Sequence, residues 1–99
     1  MTEEQKASLR GYMTLISDFV DGKLTPAEFE SAYLRKFKNE AILLPEPAFS
    51  VLDRLFSAID AYCADASIRG PDEIGDEELL HTAKAALSEL GKFEESGNL

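Results

Sequence analysis

The chain has 99 residues, 44% of them hydrophobic, with nine aromatic side chains and a formal net charge of −9. That length holds one domain with one core and leaves little room for a deep catalytic cleft. The apolar content excludes a disordered chain despite the charge. An excess of 19 acids over 10 bases argues against nucleic acid and against an anionic membrane surface as direct partners. It argues for a basic protein partner, or for simple solvation.

Four helical segments can be predicted, and no stretch has a good strand pattern. The first runs from about Glu3 to Asp21. Leu9, Tyr12, Met13, Leu15, Ile16, Phe19 and Val20 fall on one broad face at helical spacing. Thr2 and Gln5 have capping-box spacing, and Gly22 stops the helix where a positive φ is easiest. The second helix has the clearest start. Thr25 is its N-cap, Pro26 fits its first position, Glu28 completes a capping box, and Leu24 and Phe29 are spaced as a hydrophobic staple. Phe29, Ala32, Tyr33 and Phe37 form its apolar side. Arg35, Lys36 and Lys38 sit in its last turns, where they suit the helix dipole.

Leu43-Leu44-Pro45-Glu46-Pro47 interrupts the periodicity. A third helix is predicted from about Pro47 to Ala64. Its apolar arc holds Phe49, Val51, Leu52, Leu55, Phe56, Ile59, Tyr62 and Cys63, and Asp53 and Asp60 line one edge. Residues 65–75 read as a loop punctuated by Gly70-Pro71 and Gly75. Asp76 is placed as the cap of a fourth helix, with Glu77 and Glu78 in its first turn. Leu79, Leu80, Ala83, Ala86, Leu87, Leu90 and Phe93 form its buried face. The expected architecture is all-α, a single antiparallel bundle of about four helices over residues 1–93, with a frayed tail at 94–99.

Charge is unevenly spread. Residues 45–78 hold nine acids and two bases, Arg54 and Arg69, a net of −7, and five of those acids fall between Asp72 and Glu78. So many like charges in a short span repel one another unless a cationic partner uses them. The plainer reading is that they solvate a small domain and complement the start of the fourth helix.

Other chemistry is poorly supplied. Asp21 to Glu28 resembles the second half of a calcium-binding loop, but the first half would place Ser17 and Phe19 at ligand positions, and Phe cannot coordinate Ca²⁺. One Cys and one His cannot make a zinc site. His81 points away from the apolar stripe of its helix. Cys63, on the apolar arc of the third helix, is expected to be a buried, inert thiol. Asp53 and Asp60 are a carboxylate pair without a predicted pocket. The Asp-Ser-Leu of acyl carriers is absent. The bases of the second helix are offset by Glu28, Glu30 and Glu40. No catalytic residue, metal or other cofactor is therefore assigned.

No apolar run approaches the roughly 20 residues needed to cross a bilayer. The N-terminal Met1-Thr2-Glu3-Glu4-Gln5 lacks an apolar signal region, and the single cysteine suits a reducing compartment. No membrane association is expected, and the expected location is the cytoplasm.

Phe56-x-x-Ile59-Asp60-x-Tyr62-Cys63-x-Asp65, a loop with Arg69, and then Asp76-Glu77-Glu78-Leu79 resemble the pattern of the colicin D-like bacterial immunity proteins. Phe19-x-x-Gly22-x-Leu24-Thr25-x-x-x-Phe29-x-x-x-Tyr33 is similar to the same family upstream. The likeness spans roughly residues 9 to 90. It departs at Ile59, where the pattern has Val, a change that keeps a β-branched contact. The resemblance implies a small acidic helical protein that protects a toxin-producing bacterium from its own toxin. In the colicin D case that toxin is a nuclease cutting tRNA in the anticodon loop, and related immunity proteins accompany toxins of contact-dependent growth inhibition. It also implies that the acidic surface occupies the basic active-site cleft, where carboxylates stand in for RNA phosphates.

The residues expected to meet the toxin are Asp60, Tyr62, Asp65, Asp72, Glu73, Asp76, Glu77 and Glu78. For Asp60 and Tyr62 the competing expectation is structural, with Asp60 accepting a hydrogen bond from Arg69 and Tyr62 packed into the core. Two other functions fit the same composition: an adaptor bundle binding a different basic protein, and a small enzyme using Asp53, Asp60 and His81.

Overall fold

The computed structural model describes residues 2–63, 65, 67–71 and 73–95, with the side chains of Glu94 and Glu95 excepted. It contains four helices: α1 (Glu3–Val20), α2 (Pro26–Lys38), α3 (Glu46–Asp60) and α4 (Asp76–Glu95). α1 and α2 begin at the two capping boxes expected from sequence. Gln5 N donates to Thr2 Oγ1 at 3.1 Å while Thr2 N donates to Gln5 Oε1 at 2.8 Å. Glu28 N donates to Thr25 Oγ1 at 3.1 Å and Thr25 N to Glu28 Oε1 at 2.9 Å. Glu28, which would have been the last calcium ligand, is thus used in a cap.

The end of α1 is equally local. Gly22 has φ +82°, which lets Gly22 N reach the Phe19 carbonyl and Lys23 N the Asp18 carbonyl, at 3.1 and 2.8 Å. This is the Schellman closure, in which a glycine turns the chain and satisfies the last carbonyls.

α1 packs on α2 and α4, and α3 packs on the same two helices, so the four surround one core. Gln5 Nε2 donates to the Leu43 carbonyl at 2.8 Å, placing the start of α1 beside the α2–α3 connection. Phe19 and Val20 share a groove with Asp76 and Leu80, placing the end of α1 beside the start of α4. The helices therefore run up and down in alternation. The α1–α2 and α3–α4 connections meet at one end of a body 45 × 24 × 23 Å across.

The core is filled by Leu9, Tyr12, Ile16 and Phe19 of α1, Phe29 and Tyr33 of α2, Leu52, Leu55 and Ile59 of α3, and Leu79, Ala83 and Leu90 of α4, with Leu44 closing one end. Each fully buried large side chain contributes roughly 1.5–3 kcal/mol. A chain of rings runs through it. Phe19 stacks on Phe29 at 4.3 Å, and Tyr33 lies 5.7 Å from Phe29 and 5.6 Å from Tyr12. Phe37 stacks on Phe56 at 4.7 Å. The buried Tyr33 hydroxyl donates to the Leu52 carbonyl at 2.7 Å, tying α2 to α3. Phe49, placed on the apolar arc of the third helix, is 38% exposed.

Two boundaries differ from the sequence reading. α3 stops at Asp60 rather than near Ala64, and Tyr62 and Cys63 follow it instead of extending its apolar arc. The competitor is Ile74, whose N–H donates to the Ala61 carbonyl and whose carbonyl accepts from Cys63 N, both at 2.9 Å. These two bonds form a one-residue parallel bridge between Tyr62 and Ile74. At the start of α4, Gly75 takes the cap position and Asp76 is the first helical residue, because Leu79 N donates to the Gly75 carbonyl at 3.0 Å. Of the tail placed at 94–99, the first two residues continue α4 and 96–99 lie outside the described residues. Among the described residues, no helix is long and apolar enough to cross a membrane.

Tyr33→Phe removes one buried hydroxyl-to-carbonyl bond without changing ring packing. The expected loss is about 1–2 kcal/mol, read as a lower midpoint in chemical denaturation with an unchanged slope.

Candidate functional site

Asp60, Tyr62, Asp65, Glu73, Asp76, Glu77 and Glu78 are all carried by the end of α3, the loop to α4 and the first turn of α4. Asp72 lies outside the described residues. Local hydrogen bonding shapes this loop. Asp65 Oδ1 accepts from Ser67 N at 2.9 Å and from Ser67 Oγ at 2.7 Å. Those bonds hold the exposed Asp65 carboxyl below its ordinary range, the hydroxyl bond contributing most. Glu73 Oε1 accepts from Gly70 N at 2.6 Å. Each acid thus spends one oxygen on a turn, and both residues are exposed.

The most consequential side chain is basic. Arg69 donates from Nε and Nη2 to the Cys63 carbonyl, at 3.1 and 3.0 Å. Asp60 does not accept from Arg69, so the structural alternative considered for it is not what the structure shows. It is exposed at the end of α3 and has no side-chain hydrogen bond or ion pair among the described residues. Cys63 is half-buried rather than buried, because it left the helix. Its thiol donates to the Asp65 carbonyl at 3.6 Å.

Gly75 is the surface on which Arg69 lies. A Cβ at position 75 would fall 2.8–2.9 Å from Cζ, Nη1 and Nη2 together, so the guanidinium turns its face to the glycine backbone. Arg69, Gly75, Asp76, Glu77 and Glu78 line one shallow depression of about 220 Å³. Asp60 and Asp65 are outside it.

Tyr62 is half-buried, and its hydroxyl donates to Asp76 Oδ1 at 2.5 Å. Its pKa is pushed up to about 12, by burial first, then by the bond to Asp76 and the charges of Asp76 and Glu30, with Arg69 opposing. Both roles considered for Tyr62 are therefore tied to α4, not to the arc of α3. Glu77 and Glu78 are exposed and make no side-chain hydrogen bond or ion pair among the described residues. The positive end of α4 stabilises the three first-turn acids by roughly 0.3–1 kcal/mol each.

Three contributors were not singled out from sequence. Glu30 of α2 acts on Tyr62 through space. Ile68, 72% exposed, stands at the tip of the acidic loop. The α1–α2 connection, with Gly22, Leu24 and Pro26, forms a groove with Asp76, Glu77 and Leu80. Exposure of Ile68 follows from loop geometry, which no periodicity announces. The groove needs two connections brought together by the alternation of the helices, although the short spacing of α1 and α2 already implied where the first connection lies.

Among the described residues no group of three His, Cys, Asp or Glu side chains is arranged to hold a metal ion. His81 is exposed on α4, with Cys63 on the loop before that helix.

Gly75→Ala is expected to displace the Arg69 guanidinium and loosen the loop while the four helices persist. Amide exchange would quicken at Cys63 and Ile74 with little change in helical circular dichroism. Alkali provides a second test. The folded chain keeps the Tyr62 proton where an unfolded tyrosine, with its ordinary value of 10.0, releases it. Stability contributed by Tyr62 is complete below pH 10 and is lost as pH rises towards about 12. Tyr12 and Tyr33 are shifted the same way, mainly by burial. Denaturation series across that range are expected to show a steep decline in the wild type and a shallower one in Tyr62→Phe.

No match was found among curated proteins, and none among solved structures. A family model described as bacterial self-protective colicin-like immunity matches residues 7–90. That span takes in all of α2 and α3, the acidic loop and most of α1 and α4. The chain therefore belongs to the bacterial self-protective colicin-like immunity family.

Proposed function

We propose that this protein neutralises a cognate bacterial toxin, a tRNA-cleaving nuclease, by seating its acidic end in the toxin's basic active-site cleft. It acts in the cytoplasm as a binding protein and not as an enzyme. The observation that carries the reading is the pair of outward carboxylates Glu77 and Glu78, beside Asp76 on a rigid helix start, with no intramolecular cation spent on them among the described residues. The only base of the loop, Arg69, is committed to a backbone carbonyl and to Gly75. The field at this end is therefore available to a partner.

A nuclease that grips RNA phosphates needs clustered Lys and Arg, and carboxylates on a stiff support match that cluster. Opposite fields accelerate encounter, which suits an inhibitor that must reach its toxin promptly. The contact set proposed is Asp60, Asp65, Asp72, Glu73, Asp76, Glu77 and Glu78, with Tyr62 orienting Asp76.

The direct test is co-expression with the toxin encoded beside this gene. Cells are expected to survive, and a pull-down is expected to recover a complex of the two proteins. Failure of both protection and recovery would sink the reading. Reversal of Glu77 and Glu78 to Lys is expected to slow association roughly tenfold or more at low salt, with the difference shrinking as salt rises. Helicity should fall only slightly, through the lost dipole interaction. An unchanged association rate would remove the acidic end from the interface.

A further inference from the structure

Three large hydrophobic side chains stand exposed among the described residues: Leu43, Phe49 and Ile68. Leu43 and Phe49 border one apolar pocket at the opposite end of the bundle. Ile68 is the one carried by the acidic loop, and it is 72% exposed. Tyr62 and Ile74, at the two ends of that loop, pack against the core, and Ile68 does not. Turns favour Gly, Pro, Asn, Asp or Ser. Here a β-branched aliphatic side chain is held in water, where the fold gains little from it.

One exposed aliphatic residue is ordinary on a protein surface. What sets Ile68 apart is how firmly it is presented. Its N–H donates to the Asp65 carbonyl at 3.2 Å. The Asp65 carboxylate ties the same turn from within, accepting from Ser67 N and Oγ at 2.9 and 2.7 Å. On the other side of Ile68, Arg69 gives two bonds to the Cys63 carbonyl and lies on Gly75. Both chain neighbours of Ile68 are thus pinned, and its backbone is fixed relative to the start of α4.

We infer that Ile68 is the apolar anchor of the toxin interface, seated in an aliphatic or aromatic hollow of the toxin beside the basic groups that meet the carboxylates. The inference rests on the reading of the acidic end as a toxin-binding surface and adds an uncharged component to it. Exposed carboxylates speed encounter, but solvated ion pairs add little to the lifetime of a complex. Lifetime comes from groups that shed water at the centre of an interface, where charge is depleted. Ile68 is the large apolar side chain of this loop that is free to do so. Its χ1 is restricted by branching and its backbone is already held, so little ordering is left to impose on binding. Charge alone suits any phosphate-binding cleft, whereas an aliphatic shape suits one hollow. Ile68 therefore also sets which toxin is recognised.

The test separates the two rates of binding. The probe is the toxin domain encoded beside this gene, and wild-type binding is the reference. Ile68→Ala is expected to speed dissociation roughly tenfold or more and to leave association within about twofold. That factor is expected to persist at high salt, unlike the effect of reversing Glu77 and Glu78. Ile68→Val, which removes one methylene, is expected to speed dissociation a few-fold. Leu43→Ala, at a residue 83% exposed on the opposite end, is expected to change neither rate. Because Ile68 is exposed, its variants should keep the wild-type thermal midpoint, and amide exchange at Cys63 and Ile74 reports whether the turn is intact.

Wild-type dissociation rates for both Ile68→Ala and Ile68→Val would overturn the anchor. If reversal of Glu77 and Glu78 still slowed association, the acidic interface would stand without it. A dissociation effect of Ile68→Ala that vanished at high salt would also overturn it. If Ile68→Ala loosens the turn, the Ile68→Val rate alone decides. Failure of the wild type to bind the toxin domain would bring down the broader reading and the anchor together.

Discussion

A single guanidinium holds the acidic end together. Arg69 gives two hydrogen bonds to one carbonyl, that of Cys63, and lays its face on Gly75. Hydrogen bonds from a charged donor are worth roughly 1.5–3 kcal/mol each, comparable to the mutual repulsion of several carboxylates near water. The bonds and the guanidinium face together link Cys63, after the helix break, to Gly75, which caps α4. The tie reinforces the one-residue Tyr62–Ile74 bridge, whose two side chains also pack against the core. With it, Asp76 is delivered to the Tyr62 hydroxyl, and Glu77 and Glu78 are left facing out.

The bundle separates its tasks by end. The ring chain from Phe19 to Phe56 and the Tyr33–Leu52 bond fix the relation of α1, α2 and α3. At the far end, Leu43 and Phe49 border an apolar pocket of about 190 Å³ with Tyr12, Phe37 and Leu52. At the near end the carboxylates crowd. Crowding is tolerated because most of these groups are solvated, because Asp65 and Glu73 give one oxygen to their own turns, and because the helix dipole of α4 favours three of them. The acidic end stands on the packed core that includes Ile59 and Leu79.

The two capping boxes, the Schellman turn at Gly22 and the apolar stripes of all four helices were legible in the sequence, because each depends on residues within one or two turns of one another. The immunity-family pattern was legible too, in Asp60, Tyr62, Cys63 and the acids that follow. The overrun of α3 has a definite cause. Ala61, Tyr62 and Cys63 continue helical periodicity without a glycine or proline to stop them, and what ends the helix is Ile74, more than ten residues away. The same gap explains Cys63, read as buried because it was placed on a helix it does not join, and the failure of the structural alternative for Asp60, whose proposed arginine partner bonds elsewhere.

By itself, then, the sequence determined an all-α bundle, the N-terminal caps of α1 and α2, the apolar stripes of its helices, the family and the concentration of carboxylates between Asp60 and Glu78. Tertiary structure alone decided where α3 ends, which group Arg69 holds, that Tyr62 serves Asp76, and that Leu24 of the first connection lies beside Glu77. The physical reason is range. Capping and amphipathicity are set by neighbours along the chain. A hydrogen bond between residues 14 apart, or a groove shared by two connections, exists only once the core has brought the two ends of α1 and α4 together.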